Sequence, residues 1–369
     1  MDKIKFDNPR AKNRYQIIKM VGEGSYGVVY KAKVVGTNNF VAIKEIVHNE
    51  SLGRMLFLLR ELRIMNRLKH HNLITLHHIL FSQTISFYRV FFVFDFLPTD
   101  LCQVIRCEQI VLEDEHVKKI MFDLFSVVDY LHSNNIAHRD IKPNNILINE
   151  ECEVRLCDLG LAKQLDDNFA NNTDYIMARN YRAPEVIYSP KMYTFKVDVW
   201  SLGCIFYELM RRNQLFKAKN HLHHLELILE CIGFPDNTAL QQIKQEEVKR
   251  YIMEFANRNF VNKIQNVMYS NPLAVDLLVK CLIFNPDQRI STKDALKHEY
   301  FASINNQANG MEIEKAIPTD DADFDFNNKK LTVLETKLLI IEEINLINAE
   351  ANEDLIDISL YRYYMGIEK

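Results

Sequence analysis

Gly22-Glu23-Gly24-Ser25-Tyr26-Gly27-Val28 places three glycines in six residues, between two runs rich in β-branched and aromatic side chains, Tyr15 to Met20 and Val28 to Val34. Glycine has no Cβ, so such a loop lets backbone amides approach phosphate oxygens closely. The same spacing occurs in hairpins that bind nothing and in dinucleotide-binding turns. A dinucleotide turn runs straight into a helix, whereas Val28-Val29-Tyr30 continues as strand. The spacing therefore predicts a β-hairpin with a phosphate loop at its tip. Phe40 to Ile46 reads as a further strand, and Val41-Ala42-Ile43-Lys44 puts a lysine on it. Most strand lysines are simply solvated. One that follows a phosphate loop is placed to meet the α- and β-phosphates, and then needs a carboxylate to hold it. Ser51 to Leu68 has helical spacing, with Leu58, Leu62 and Met65 on one face. Glu61, in Leu59-Arg60-Glu61-Leu62, supplies that carboxylate. Val90 to Phe94 is a continuous apolar run that fits a buried strand, and Leu97-Pro98-Thr99 breaks the pattern like a hinge.

Downstream the pattern turns helical. Glu113 to Ser133 is amphipathic and leads into the polar stretch His138-Arg139-Asp140-Ile141-Lys142-Pro143-Asn144-Asn145. Phosphoryl transfer asks little covalent chemistry of a protein. It needs a base or orienting group for the hydroxyl, metal to neutralise developing charge, and alignment. Asp140 fits the base, Lys142 a partner for the γ-phosphate, and Asn145 and Asp158, in Asp158-Leu159-Gly160, the metal ligands. Any one of these could stand in a polar loop by chance. In this order and at these spacings the set resembles that of the protein kinases. The resemblance implies an α+β fold of two lobes: a small β-rich N-lobe with one main helix, and a larger helical C-lobe. Ala183-Pro184-Glu185 closes the activation segment in that scheme, with Glu185 paired to Arg289. Asp198, in Asp198-Val199-Trp200-Ser201-Leu202-Gly203 at the start of a run apolar almost all round from Trp200 to Met210, would hydrogen-bond the catalytic-loop backbone, because a buried carboxylate left unsatisfied is costly.

Bulk properties agree with an ordinary globular protein. The 369 residues are too many for one hydrophobic core and enough for two lobes. A net charge of −4 points away from nucleic acid and anionic membrane as main partners. No apolar run reaches a bilayer's span, and Met1-Asp2-Lys3-Ile4-Lys5 lacks a signal-peptide apolar region. Seven scattered cysteines, with no C-x-x-C pair, indicate neither a zinc site nor a disulfide framework. A reducing home, cytoplasm or nucleus, is expected.

From residues 13 to 347 the chain is similar to the mitogen-activated protein kinases. Thr173-Asp174-Tyr175 stands where that family carries its dual phosphorylation motif, ahead of Arg179-Asn180-Tyr181-Arg182-Ala183-Pro184-Glu185. The segment from Arg211 to about Ser270 is long and helical, like the family insert. Phe324-Asp325-Phe326 with a helix from Lys329 to about Ile347 looks like its C-terminal extension. Leu101-Cys102-Gln103-Val104-Ile105 is similar to the Jun-amino-terminal kinases, and Asn149-Glu150-Glu151-Cys152 to an acidic docking element of stress-activated members. The resemblance implies an extension over 1–12, a kinase domain over 13–301 (N-lobe about 13–95, hinge 95–98, C-lobe 99–301, insert within 211–270) and a tail over 302–369 that packs back on the core. It implies ATP and Mg2+ as cofactors. Gly22 to Val28, Ala42, Lys44, Phe94 as gatekeeper, and the backbone of Asp95 and Leu97 would meet the nucleotide. Asp100 or Gln103 would face the ribose, and Cys157 and Cys102 would flank the cavity as candidate reactive thiols. Arg60, Arg139 and Lys163 would grip phosphorylated Thr173, while Arg179 and Arg182 would take phosphorylated Tyr175. Partners follow: protein substrates with Ser/Thr-Pro sites, an upstream dual-specificity kinase, phosphatases and docking peptides, on a monomer.

The sequence departs from the family at several places. Leu159 replaces the phenylalanine after the metal-binding aspartate. Ala178 replaces a threonine whose hydroxyl bridges the catalytic Asp and Lys, and Asn180 a tryptophan near the substrate groove. Asn305-Asn306-Gln307-Ala308-Asn309 stands where an acidic docking patch is expected, with Glu312 and Glu314 beyond it. Two other readings stay open. A pseudokinase scaffold is favoured by Ala178 and Leu159 and opposed by the intact Lys44, Glu61, Asp140, Lys142, Asn145 and Asp158. A cyclin-dependent type of kinase would carry a different helix around Arg60-Glu61 and would not need Tyr175.

Overall fold

The computed structural model describes residues 13–24, 27–47, 51–81, 89–165, 178–188, 194–255, 264, 267–307, 331–351, 353, 355–357 and 359. Ser25, Tyr26, Thr173, Tyr175, Glu312, Glu314 and the 324–326 triplet lie outside them. The chain forms two units. The first takes in Met1–Lys69, Leu73–Pro98 and Thr319–Lys369, the second His70–Asn72 and Thr99–Pro318.

In the first unit β1 (Tyr15–Gly24), β2 (Gly27–Val34), β3 (Phe40–Val47), β4 (Leu76–Phe81) and β5 (Arg89–Asp95) make one antiparallel sheet in the order β1-β2-β3-β5-β4. The glycine spacing closes a hairpin in which Gly24 pairs with Gly27. Gly27 adopts φ +141°, and a Cβ there would collide with the Glu45 carbonyl on β3. Glycine at this position is thus required by the packing of the sheet itself. Tyr15, Ala32, Val41, Ile43, Leu80, Phe91 and Val93 pack as one cluster. Phe92 and Phe94, which alternate with Phe91 and Val93, are buried as well. An inner strand covered on both faces explains the unbroken apolar run. β4 was not legible, because its pattern is interrupted by His77-His78. His78 is buried and hydrogen-bonds the Tyr15 hydroxyl at 2.9 Å. Burial, helped by Arg14 and His77, lowers its pKa to about 4, so it packs as a neutral ring. The helix α1 (Leu52–Arg67) buries Met55, Leu58, Leu59, Leu62, Ile64 and Met65.

The second unit begins with β6 (Thr99–Asp100) and α2 (Leu101–Arg106), followed by α3 (Asp114–Ser133), which opens on a capping box between Glu113 and His116. Short strands β7 (Ile136–Ala137), β8 (Ile146–Ile148), β9 (Val154–Leu156) and β10 (Lys163–Gln164) pair as β6-β8-β9 and β7-β10. Helix α4 (Lys196–Arg211) is buried at nearly every position from Val197 to Met210. A Cβ on Gly203 would press on Cys281 and Leu282 at 2.8–2.9 Å, so glycine lets α4 approach the C-terminal end of α6 (Pro272–Cys281). Within 211–270, the described residues form α5 (His221–Ile232) and two short helices, Asn237–Gln242 and Glu246–Phe255. Glu185 and Arg289 form a buried two-pronged ion pair at 2.6 and 2.9 Å, and Arg289 also donates to three backbone carbonyls. Removing one partner of such a pair strands a charge, at a cost of roughly 3–5 kcal/mol.

Late in the chain, α7 (Val333–Glu350) returns to the first unit. It starts at Thr332 rather than near Lys329, because the Thr332 hydroxyl and the Glu335 carboxylate cap each other's backbone N–H groups. Glu343 receives Arg63 at 2.9 Å, Arg67 through two nitrogens at 3.2 Å, and Asn66 at 3.4 Å, all from α1. Asn348 accepts the Ile79 N–H and donates to the Ile79 carbonyl, each at 2.9 Å. Its amide thus pairs with the outer edge of β4 as a neighbouring strand would. No helix among the described residues is long and apolar enough to cross a membrane.

Candidate active site

The second unit holds the polar stretch at residues 138–145, and a carboxylate sets its path. Asp198 is fully buried. Its Oδ2 accepts the His138 N–H and a ring nitrogen of His132, each at 2.9 Å, and its Oδ1 the Arg139 N–H at 2.9 Å. Burial pushes the Asp198 carboxyl up, but the His132 hydrogen bond, the nearby histidines and the backbone donors together hold it below the usual range. These bonds pin Arg139 in the left-handed region at φ 69°, a conformation that costs a non-glycine residue about 1 kcal/mol or more. His138 Nδ1 accepts the Asp140 N–H at 3.3 Å, so Nε2 carries the proton and donates to the Cys157 carbonyl at 3.2 Å.

Asp140 is then surrounded by donors. Lys142 Nζ lies 2.5 Å from Oδ2 and Asn145 Nδ2 3.0 Å from the same oxygen, while the Ala178 backbone N–H meets Oδ1 at 3.0 Å. Asn145 also donates to the Asp140 carbonyl at 2.8 Å. Its amide nitrogen is therefore directed at Asp140 and its oxygen is the atom that can meet a cation. A short turn, Pro143–Asn145, positions it, and the Cys157 N–H and thiol both donate to its carbonyl, at 2.9 and 3.2 Å. Asp158 is half-buried in a left-handed turn at φ 66°, which aspartate tolerates better than most residues. Leu159 after it is buried where the family has phenylalanine. β10 pairs Lys163 with Ala137, joining the end of this segment to the strand that enters the 138–145 loop.

No group of three His, Cys, Asp or Glu side chains among the described residues could hold a metal by itself. The oxygens of Asp158 and Asn145 are hard donors of the kind that take a divalent cation together with phosphate oxygens and water. They fit a metal that arrives with a nucleotide.

The first unit holds the other candidate residues. Lys44 pairs with Val29 and Phe92 in the sheet, and its ammonium lies 3.4 Å from Glu61 Oε1 on α1. Gly22, Glu23, Gly24, Gly27 and Val28 line the hairpin, and Ala42 pairs with Lys31 and Phe94. Phe94 is buried with its ring edge-on to Phe92, centroids 6.0 Å apart. The Asp95 carboxylate is held by His77 at 2.7 Å, and Leu97 is half-buried. Arg60 lies half-buried beside the Phe57 ring.

Sequence reasoning did not foresee several contacts in the second unit. Asp100, expected with Gln103 as the alternative to face a ribose, caps α2 through the Gln103 N–H at 2.8 Å, and the Gln103 amide closes on its other oxygen at 3.3 Å. Burial holds the Cys102 thiol above its ordinary pKa despite Arg106, which disfavours the thiolate at one of the two candidate positions. Arg179 donates to the Lys219 carbonyl at 2.7 Å, Asn180 Oδ1 accepts the Ala218 N–H at 3.1 Å, and Arg182 meets His221 at 3.2 Å. The tie from Ala178 to Asp140 spans 38 positions, and no local spacing rule announces it.

The protein kinase domain family matches residues 15–301. The chain is 36% identical over 353 residues to extracellular signal-regulated kinase 1 of Candida albicans (strain WO-1), covering 90% of this chain and 84% of the relative. It is 36% identical over 340 residues to mitogen-activated protein kinase 6 of Arabidopsis thaliana, with 90% and 83% covered. Mitogen-activated protein kinase 7 of the same plant matches at 38% over 294 residues, covering 79% of each. A kinase uses ATP with a divalent metal, which the oxygen donors above suit. The chain belongs to the protein kinase family, and within it to the mitogen-activated serine/threonine protein kinases.

Proposed function

We propose that the chain moves the γ-phosphoryl group of Mg-ATP to serine or threonine hydroxyls of protein substrates, by preference those followed by proline, once Thr173 and Tyr175 are phosphorylated by an upstream dual-specificity kinase. The observation that carries this reading is the setting of Asp140, held by Lys142, Asn145 and the Ala178 N–H. These donors fix the carboxylate where it orients the acceptor hydroxyl and takes its proton as the new P–O bond forms and the γ-phosphorus parts from the bridging oxygen of ADP, the leaving group. The family's threonine hydroxyl is missing at Ala178, but the Lys142 contact is direct and the backbone N–H holds the other oxygen, which favours turnover over an inert scaffold. Lys44, braced by Glu61, holds the α- and β-phosphates under the hairpin of Gly22 to Val28. Lys142 meets the γ-phosphate. Asn145 and Asp158 hold magnesium, which neutralises charge on the transferred group when bound. The adenine meets the backbone of Asp95 and Leu97 beside Ala42 and Phe94, with Asp100, Gln103 and Cys157 at its margins. Arg60, Arg139 and Lys163 receive the phosphothreonine, Arg179 and Arg182 the phosphotyrosine. The reading extends to docking peptides, phosphatases as its reversal, a monomer, and a home in cytoplasm or nucleus.

Asp140→Asn keeps the shape and removes the proton acceptor. It is expected to bind Mg-ATP as the native chain does while kcat falls by orders of magnitude. Asp158→Ala is expected to weaken metal-dependent nucleotide binding as well. Phosphopeptide formation by Asp140→Asn at the native rate would refute the assignment.

A further inference from the structure

From Leu209 to Leu225 the chain carries Arg211, Arg212, Lys217, Lys219 and three histidines, with no acidic residue, in a protein whose net charge is −4. Its basic groups divide into two sets. Arg211 donates to the Met268 carbonyl and Arg212 to the carbonyls of Val104 and Cys107, so these two are used in packing. Lys217 and Lys219 are exposed and form no ion pair among the described residues. Glu208, whose carboxyl feels the Lys217 charge, is buried and bonded to the Tyr181 hydroxyl. The loop bearing the two lysines hangs from the segment that ends at the proposed base. Ala178 donates to Asp140, Arg179 grips the Lys219 carbonyl, and Asn180 accepts the Ala218 N–H. A tryptophan in place of Asn180, as the family has, offers no acceptor for that N–H. Where the loop enters α5, the Lys219 N–H is taken by the His223 ring and the His223 N–H by the Asn220 side chain. The exposed cations of this loop are the lysine side chains.

We infer that Lys217 and Lys219 form a basic shelf beside the acceptor position, which binds a carboxylate or phosphate side chain a few residues from the target serine or threonine of a protein substrate. This rests on the proposed kinase reading, in which Asp140 meets the acceptor hydroxyl, because the segment that starts with the Ala178 N–H on Asp140 is bonded to the lysine loop. Two exposed cations close to a substrate anion change affinity modestly, roughly two- to tenfold, and the effect fades as salt rises.

The test uses the full, dually phosphorylated chain with Ser-Pro peptides whose flanks are neutral, Asp/Glu-bearing or phosphoserine-bearing. Both kcat/KM and peptide binding by fluorescence anisotropy are read at low and high salt. Anionic flanks are expected to lower KM and Kd by that factor at low salt. Lys217→Ala/Lys219→Ala is expected to erase the gain while leaving turnover of the neutral peptide unchanged. The stronger of the two anionic arms then identifies carboxylate or phosphate as the preferred group. Equal handling of all three flanks by the native chain overturns the shelf while leaving the kinase reading intact. Absence of turnover on every peptide refutes the kinase reading alone, since anisotropy still decides the shelf. Lysine-dependent binding of an oligonucleotide, with no preference among the peptides, overturns it in favour of a different partner.

Discussion

Asn145 commits its amide nitrogen to Asp140, and Cys157 and His138 tie the same loop together from behind. Asp140, Lys142, Asn145 and Asp158 were legible because each lies within a short motif whose spacing is set by one turn of backbone. What escaped was supplied across space: the Ala178 N–H, the His132 ring on Asp198, and the grip of Asn180 on Ala218. Glu208 shows the same limit. It reads as one more helical glutamate, yet it is buried in α4 with its Oε2 accepting the Tyr181 hydroxyl at 3.2 Å. Burial pushes its carboxyl up to about 7, against the Tyr181 hydrogen bond and the charge of Arg106. The folded protein therefore holds this proton more tightly than the unfolded chain does. The stabilising contribution is complete below the ordinary value of 4.5 and is lost as pH rises through about 7. The change is on the order of 3 kcal/mol. Glu208→Gln, neutral throughout, is expected to flatten that part of the profile of Tm against pH. A variant whose profile keeps the native slope between those two values would contradict this.

Among the elements, α1 and α4 followed their sequence patterns, because a helix with one apolar stripe and a helix apolar all round leave distinct periodicities. β4 did not, since a buried neutral histidine looks like a surface residue in sequence. The start of α7 also differed, set by a capping box rather than by the apolar period. Among the described residues, the Asn348 side chain meets β4's free edge at Ile79. Asn348→Ala leaves the N–H and carbonyl of Ile79 without their pairing, and the loss of a satisfied buried group costs about 1–3 kcal/mol. Hydrogen exchange at the Ile79 amide is expected to accelerate in this variant, with amides of α4 unaffected. Unchanged protection at Ile79 would show that the helix holds the strand by its apolar contacts alone.

For the whole molecule, the motif order and the resemblance gave the two-lobed architecture, whereas composition alone only required more than one core. Regulation is the property that belongs to this scale. Two phosphates on Thr173 and Tyr175 each add about −1.5 to −2 charges to a chain of net charge −4. Thr173→Ala/Tyr175→Phe is expected to stay at basal activity when treated with an upstream kinase that activates the native chain at least tenfold. Full activation of the double variant would remove the switch from these residues. The first unit is also discontinuous in sequence: its sheet and α1 come from the first 98 residues, and α7, which covers β4 and neutralises Arg63 and Arg67, comes from residues 333–350. During synthesis the earliest-made part must wait for the latest. At ordinary translation rates the ribosome needs roughly 10–50 s to make the intervening chain. Throughout that interval the nascent sheet has a bare outer strand beside two unneutralised arginines, so its maturation lags the making of its own strands, and a holding chaperone would find its longest-lived target there.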